Sequence, residues 1–254
     1  MIKTFNKNFN NFITKKLLNY EYVYLTTDFR GFIKKYNIKN PNQLCEAVIL
    51  LLLKHKKTII IPTYSYTSKG NFFVNKTPSN LGYLSKWAIN QKKYFRTTHP
   101  IFSFCIIGSK VSIFKDTGKS AFGKKSVWEK LLKNKSSLLH VGRPFSLGNT
   151  ITHFVEQKVG AKYRFFKYFR TKVYNKKKYL GDNFSAFVSK IKHKKKLFQT
   201  NTKKISKFIM KQPFYQNTGN DENLTNFTHI DYKKAFNFMC TQFKKNKEIF
   251  INYI

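Results

Sequence analysis

Acid is what this chain has least of. Eleven Asp plus Glu stand against 49 Lys plus Arg in 254 residues, a formal net charge of +38. An anionic partner is therefore the first class to weigh, because basic surfaces release counterions from phosphates. Arginine is scarce as well. Five of the basic residues are arginine (Arg30, Arg96, Arg143, Arg164, Arg170) and the rest are lysine. Arginine is the side chain suited to bidentate phosphate and base recognition, so a sequence-specific nucleic-acid binder is disfavoured. The chain is also crowded with Asn, Ile, Phe and Tyr, which share A- and T-rich codons with Lys. Base-composition drift explains much of the charge on that reading. Nucleic acid, a membrane surface and a phosphorylated ligand stay open as anionic partners.

Cysteine is nearly absent. Cys45, Cys105 and Cys240 lie far apart and form no CxxC pair, which excludes a zinc knuckle and a disulfide framework, and no metal is expected. Cys105 sits inside the apolar run "FSFCIIG" and reads as a small core residue. Long apolar stretches are missing too. The longest, "AVILLLL" at 47–53, is too short to span a bilayer. The opening "MIKTFNKNFNNF" has no unbroken apolar region before a small-residue cleavage site, so no secretory signal is read and a cytoplasmic location is expected. What is present suffices for a core: a hydrophobic content of 41% makes wholesale disorder untenable despite the charge.

The first part of the chain alternates strands and helices. "EYVYLTT" (21–27), "TIIIPTYSY" (58–66), "FSFCIIG" (102–108) and "SSLLHVG" (136–142) are rich in β-branched and aromatic residues and read as strands. Between them "NPNQLCEAVILLLLKHK", with Pro41 in its first turn, "NLGYLSKWAINQ" and "SVWEKLLKN" read as helices. Such alternation predicts an α/β architecture whose sheet-end loops carry the chemistry. From about Val173 the chain is lysine-dense, with Phe, Ile and Leu at roughly helical spacing. The expectation there is helices with solvated lysine faces, then a polar loop over 216–226 and an amphipathic terminal helix, "DYKKAFNFMCTQFKKNKEIF". The organisation read is an α/β core over 1–172 and a mainly helical part over 173–254 packed on the same domain.

Five loops then become recognisable together. "TIIIPTYSYT", "TPSNLGYLSKW", "RTTHPIFSF", "FGKKSVWEKL" and "GNTITHFVEQ" resemble, in order and spacing, the motifs of the aminoglycoside 3-N-acetyltransferase family. The clear matches cover about residues 58–170. The resemblance implies a three-layer α/β/α fold with a mixed central sheet, to which the lysine-rich part adds a helical C-terminal extension. It also implies acetyl-CoA as acyl donor, a small amino-sugar acceptor and no specific nucleic-acid partner, and it leaves a homo-oligomer open. Two departures stand out: Leu25 in "LTTDF" replaces the family's usual His, and Val127 replaces the usual Pro after the serine of the Phe-Gly turn.

Making an amide from a thioester requires a free-base amine, a group to accept its proton, and donors for the developing oxyanion. No enzyme nucleophile is needed if the amine attacks directly. The resemblance makes His153 the base, and unperturbed imidazole titrates near neutral pH. Glu156, three residues on, shares its helix face and either fixes the imidazole or binds the acceptor's ammonium. Asp28, Thr63, Tyr64 and His99 are the acceptor-site candidates. His99, placed before Pro100, is pushed out of helix and either lines that pocket or shapes its loop. Thr63 and Tyr64 either hold the acceptor or are buried strand residues. Donor binding falls to the small hydroxyls of Thr26, Thr27 and Ser126, with Lys124 for the phosphates. His140 reads as a strand position. With so few acids, a polycationic acceptor is repelled by the overall field. One amine combined with a negative group, as in a nucleotide-linked amino sugar, fits better. A family member with altered activity and a purely basic binding protein are the rival readings.

Overall fold

The computed structural model describes residues 2–147, 149–219 and 224–254. Gly148, at the head of "GNTITHFVEQ", and residues 220–223 of the expected polar loop lie outside them.

A seven-stranded mixed sheet forms the centre. Its spatial order is Tyr215–Asn217, Phe227–Asp231, Ser136–Val141, Tyr22–Thr27, Thr58–Pro62, Phe104–Ile107 and Phe95–Arg96. Tyr22–Thr27 runs parallel to both of its neighbours, and the outer strands join antiparallel on either side. The inner strands are apolar on both faces because both faces are covered. Tyr22, Tyr24, Ile60 and Leu138 face one core with Trp128, Phe154, Tyr232 and Met239. Val23, Leu25, Ile59 and Leu139 face the other with Phe5, Phe9, Val48 and Leu52. The helices Val127–Leu132, Ile151–Lys158 and Tyr232–Lys245 supply the first layer, and Ile2–Lys16, Asn42–Lys54 and Tyr83–Ile89 the second. The three-layer α/β/α expectation with a mixed sheet holds.

The region after Val173 differs from its reading. In place of successive helices the chain forms the strands Arg164–Asn175, Lys178–Gly181, Phe184–Ser189, Lys192–His193 and Lys196–Thr200, and only then the helix Lys203–Met210. The period is two: Phe169, Thr171 and Val173 are buried while Arg170 and Lys172 are exposed. Lys176, Lys194 and Lys195 sit in the left-handed region at φ 55°, 51° and 62°, turning hairpins instead of continuing a helix. The terminal helix Tyr232–Lys245 is present as read, started by the Asp231 carboxylate accepting from the Lys234 N–H at 2.9 Å. The division at 172/173 falls inside the strand Arg164–Asn175, and the later part adds two strands to the central sheet.

Where Ser136–Val141 ends, Gly142 (φ +67°) lets three chain segments meet. Its N–H bonds the Asn226 carbonyl at 2.7 Å, and a Cβ there would collide with the Asp28 carbonyl. This pins the loops beyond the C-terminal ends of the parallel strands, the place where α/β sheets hold ligands.

Candidate active site

A cavity of about 470 Å³ opens at those strand ends. Thr26, Thr27, Tyr64, Arg143, Thr150 and His153 are among the residues that line it. The helix Ile151–Lys158 presents the last of these. Its Ile151, Phe154 and Val155 are buried at one-, three- and four-residue offsets typical of an amphipathic helix, leaving His153 half-buried at the cavity. The Phe122 ring packs edge-on against the imidazole at 5.8 Å and is itself braced by Phe102 at 5.0 Å. Three of the recognised loops thus converge on one histidine.

His153 Nδ1 lies 3.0 Å from Glu156 Oε2. Glu156 is fully buried and does not line the cavity. Burial alone would push its carboxyl up, but the bonds to His153 and Arg164 outweigh it and hold the group below its ordinary value. Arg164, missed from sequence, closes the cluster. Its Nη2 lies 2.8 Å from Glu156 Oε2 and 2.8 Å from His153 Nδ1, and its Nη1 donates to the Phe187 carbonyl at 3.0 Å.

The other sequence candidates divide. Thr26, Thr27 and Tyr64 join His153 on the cavity wall. Thr26 Oγ1 is fixed by His140 Nδ1 at 2.8 Å; His140 is fully buried, and that burial keeps its pKa well below the ordinary value, so the ring is neutral. Asp28 borders a neighbouring, smaller pocket shared with Thr27, where Arg30 chelates it through Nε at 2.9 and 3.1 Å and holds its carboxyl below the usual range. Thr63 is fully buried off the cavity, its hydroxyl 3.3 Å from that of Ser103. His99 is buried too: its Nε2 donates to the Ser185 carbonyl at 3.0 Å and its Nδ1 accepts from the Ile101 and Phe102 N–H groups. Burial pushes its pKa down to about 4, so the ring is neutral. Ser126 caps the helix Val127–Leu132 by accepting from the Glu129 N–H at 3.2 Å, and Lys124 is exposed; neither lines the cavity.

In "RTTHP" the residue that organises the site is Arg96, not His99. Its buried guanidinium donates to the carbonyls of Val74, Thr63 and Thr77 and to the Ser65 hydroxyl at 2.5–3.0 Å, tying two of the other motif loops together. One signal could have found these arginines. In a composition that favours lysine, a retained arginine marks a position needing several fixed donors. Among the described residues, no group of three or more His, Cys, Asp or Glu is placed to hold a metal.

The model of the family described as aminoglycoside 3-N-acetyltransferase matches residues 39–230. The chain belongs to that family. It is accordingly an N-acetyltransferase with acetyl-CoA as donor. Solved structures repeat the fold of this aminoglycoside 3-N-acetyltransferase relative over nearly its whole length. The apoenzyme of aminoglycoside acetyltransferase AAC(3)-IVa superposes with a TM-score of 0.72 at 15% identity, covering 96% of this chain and 90% of its own. AAC-VIa bound to sisomicin gives 0.73 at 11% identity, covering 94% and 97%. AAC-IIIb in a binary complex with CoASH gives 0.71 at 12%, covering 94% and 96%. Among curated protein sequences none matches the chain.

Proposed function

We propose that the enzyme acetylates the amine of an amino sugar that also carries a negative group, such as a nucleotide-linked sugar, with His153 as the base. The cavity wall carries the reading. Among its described lining residues there is no carboxylate, and Arg143 is the one permanently charged side chain. Hydroxyls dominate the remainder: Tyr24, Thr26, Thr27, Tyr66, Ser85 and Thr200 are examples. Such a wall suits a polyhydroxylated ligand with an anionic end, and its described residues offer a polycation hydroxyl acceptors but no opposite charge. Glu156 supports the base role over direct contact with the acceptor, because its carboxylate is spent on His153 and Arg164 behind the wall.

The chemistry follows from the geometry. With Nδ1 turned to Glu156, His153 offers Nε2 to the amine and takes its proton as the amine enters the thioester carbonyl; the thiolate that leaves collects a proton in turn. The ionised Glu156 stabilises the imidazolium between these steps. In this reading Thr26 and Thr27, at the strand end and on the cavity wall, hold the donor's amide groups. No helix among the described residues is long and apolar enough to cross a membrane, and a cytoplasmic setting completes the proposal.

Arg143 gives the first test. It lines the cavity, with Nη1 and Nη2 3.4 and 3.3 Å from the Pro144 and Leu147 carbonyls. Arg143→Ala is expected to raise KM for a phosphate-bearing amino sugar by about 10-fold, and added salt should weaken native binding more than variant binding. Equal KM values for native and variant would remove the anionic-acceptor reading.

A further inference from the structure

The reaction cavity adjoins a second pocket of about 410 Å³, and Thr27 and Gly82 line both. Gly82 has an extended backbone (φ −63°, ψ −173°), so its conformation does not require glycine. A Cβ built on it meets no atom within 4 Å. Glycine at this place leaves the boundary between the two spaces unfilled.

The lining of the second pocket differs in kind. Phe29, Ile33, Pro41 and Tyr83 make it mainly apolar. Tyr83 is half exposed, and its hydroxyl donates to Asn42 Oδ1 at 2.9 Å, which restrains the ring. Asp28 and Arg30, the charged residues among the described lining, form an ion pair. Arg30 gives the carboxylate three N–H groups: its backbone N–H at 3.2 Å, Nε–H at 2.9 Å and one Nη2–H. They fill three of the roughly four acceptor places of a carboxylate. The Arg30 side chain is largely exposed, and these bonds use two of the five N–H groups of its guanidinium. Hydrogen bonds from Arg30 are the main cause that keeps Asp28 ionised at neutral pH, and the charge of Arg143 adds to them. Two arginines thus serve the adjoining spaces, Arg143 the first and Arg30 the second.

A flat ring for the apolar lining, a hydroxyl for Asp28 and an anionic linker for the arginines are the parts of a nucleoside diphosphate. We infer that the second pocket holds the nucleoside of a nucleotide-linked acceptor whose amino sugar reaches His153 past Gly82. The inference rests on the acetyl-transfer reading above and assigns the end of the acceptor remote from the amine. CoA has a nucleoside as well, but its ribose carries a 3′-phosphate. An ionised carboxylate accepts from a free ribose hydroxyl and repels that phosphate. Asp28 therefore selects the acceptor's nucleoside over the donor's.

Gly82→Leu fills the boundary, and Asp28→Asn removes the charge while keeping the shape. Two ratios of kcat/KM are read for each variant. One is a UDP-linked amino sugar over the same amino sugar 1-phosphate, and the other is acetyl-CoA over S-acetylpantetheine. Each variant should lower the first ratio by about 10-fold or more, the scale of one charge-assisted hydrogen bond. The second ratio should stay within about two-fold of native. A fall in the second ratio, alone or with the first, would give the pocket to the donor's adenosine and overturn the inference. So would a first ratio that neither variant moves. Binding without turnover separates this inference from the acetyl-transfer reading. Uridine diphosphate should bind the native chain about 10-fold more tightly than 3′-phosphoadenosine 5′-diphosphate, the nucleotide end of CoA, and Asp28→Asn should erase that preference. A chain that shows this preference yet releases no thiol with any amine would refute acetyl transfer and leave the nucleoside pocket standing. A chain active on amines without the preference would refute the pocket alone.

Discussion

His153→Ala lowers kcat for acetylation of the accepted amine by about 10²- to 10⁴-fold, the range for loss of a general base, while acetyl-CoA still binds. The side chain is partly exposed at the cavity, so its removal leaves no buried partner stranded there except the Glu156 carboxylate, which Arg164 continues to neutralise at 2.8 Å. Folding should survive for that reason. Steady-state thiol release and acetyl-CoA titration, measured side by side, check both halves. Glu156→Gln should show a smaller loss, with a changed pH profile, because the amide can still meet Nδ1 but cannot stabilise the imidazolium. A His153→Ala variant within about three-fold of native kcat would transfer the base role to another group or to water.

Arg164→Met destabilises the fold by about 3–5 kcal/mol at neutral pH, the cost of leaving a buried charge with half of its compensation. Glu156 is completely buried, and its Oε2 pairs with both His153 and Arg164. The pH dependence identifies the cause. In the native chain the folded carboxyl lies below its ordinary value of 4.5. Its stabilising contribution is therefore complete above the unfolded-state carboxyl pKa and is lost as pH falls through the lower folded value. In the variant, burial dominates and the folded carboxyl titrates above the unfolded one. Ionisation then favours the unfolded chain, and stability drops as pH rises through that window. The gap between native and variant should accordingly be widest at neutral pH and narrow as pH falls below about 4. Urea unfolding across pH reads this directly. A gap that stays constant with pH would mean that Arg164 acts through its Phe187 contact instead.

The legible parts of this molecule are those where local pattern and global environment agree. The strands Tyr22–Thr27, Thr58–Pro62 and Ser136–Val141 announce themselves because burial on both faces selects short apolar, β-branched runs. The lysine-dense stretch misleads for the opposite reason. Burial alternates at period two along Phe169–Val173, but beyond it lysines fill the hairpin turns at 176 and 194–195, so no period-two pattern shows in the composition. The N-terminal helix Ile2–Lys16 is not legible in the sequence. Its buried stripe of Phe5, Phe9, Phe12 and Ile13 is present in sequence but dispersed among Asn and Lys.

The same distinction governs the site. His153 and Glu156 are legible because helical geometry brings residues three apart together. Arg164 is not, since it reaches them from the start of a strand packed beside the helix. Tyr24 lies in a recognised strand, yet period-two alternation does not say which face meets the cavity; the partners across the sheet decide that. His99 is the open case: the motif supplies a histidine that sequence leaves between acceptor and loop, and its surroundings in the fold are backbone groups and aromatic rings.

The central claim is acetyl transfer to an amine whose sugar bears a negative group. Thiol release from acetyl-CoA by the native chain, with a nucleotide-linked amino sugar and a kanamycin-like polyamine compared at equal concentration, tests it most directly. Faster release with the nucleotide-linked sugar, lost in His153→Ala, is the predicted result. A clear preference for the polyamine would contradict it, because the described wall of the cavity has no carboxylate with which to hold one.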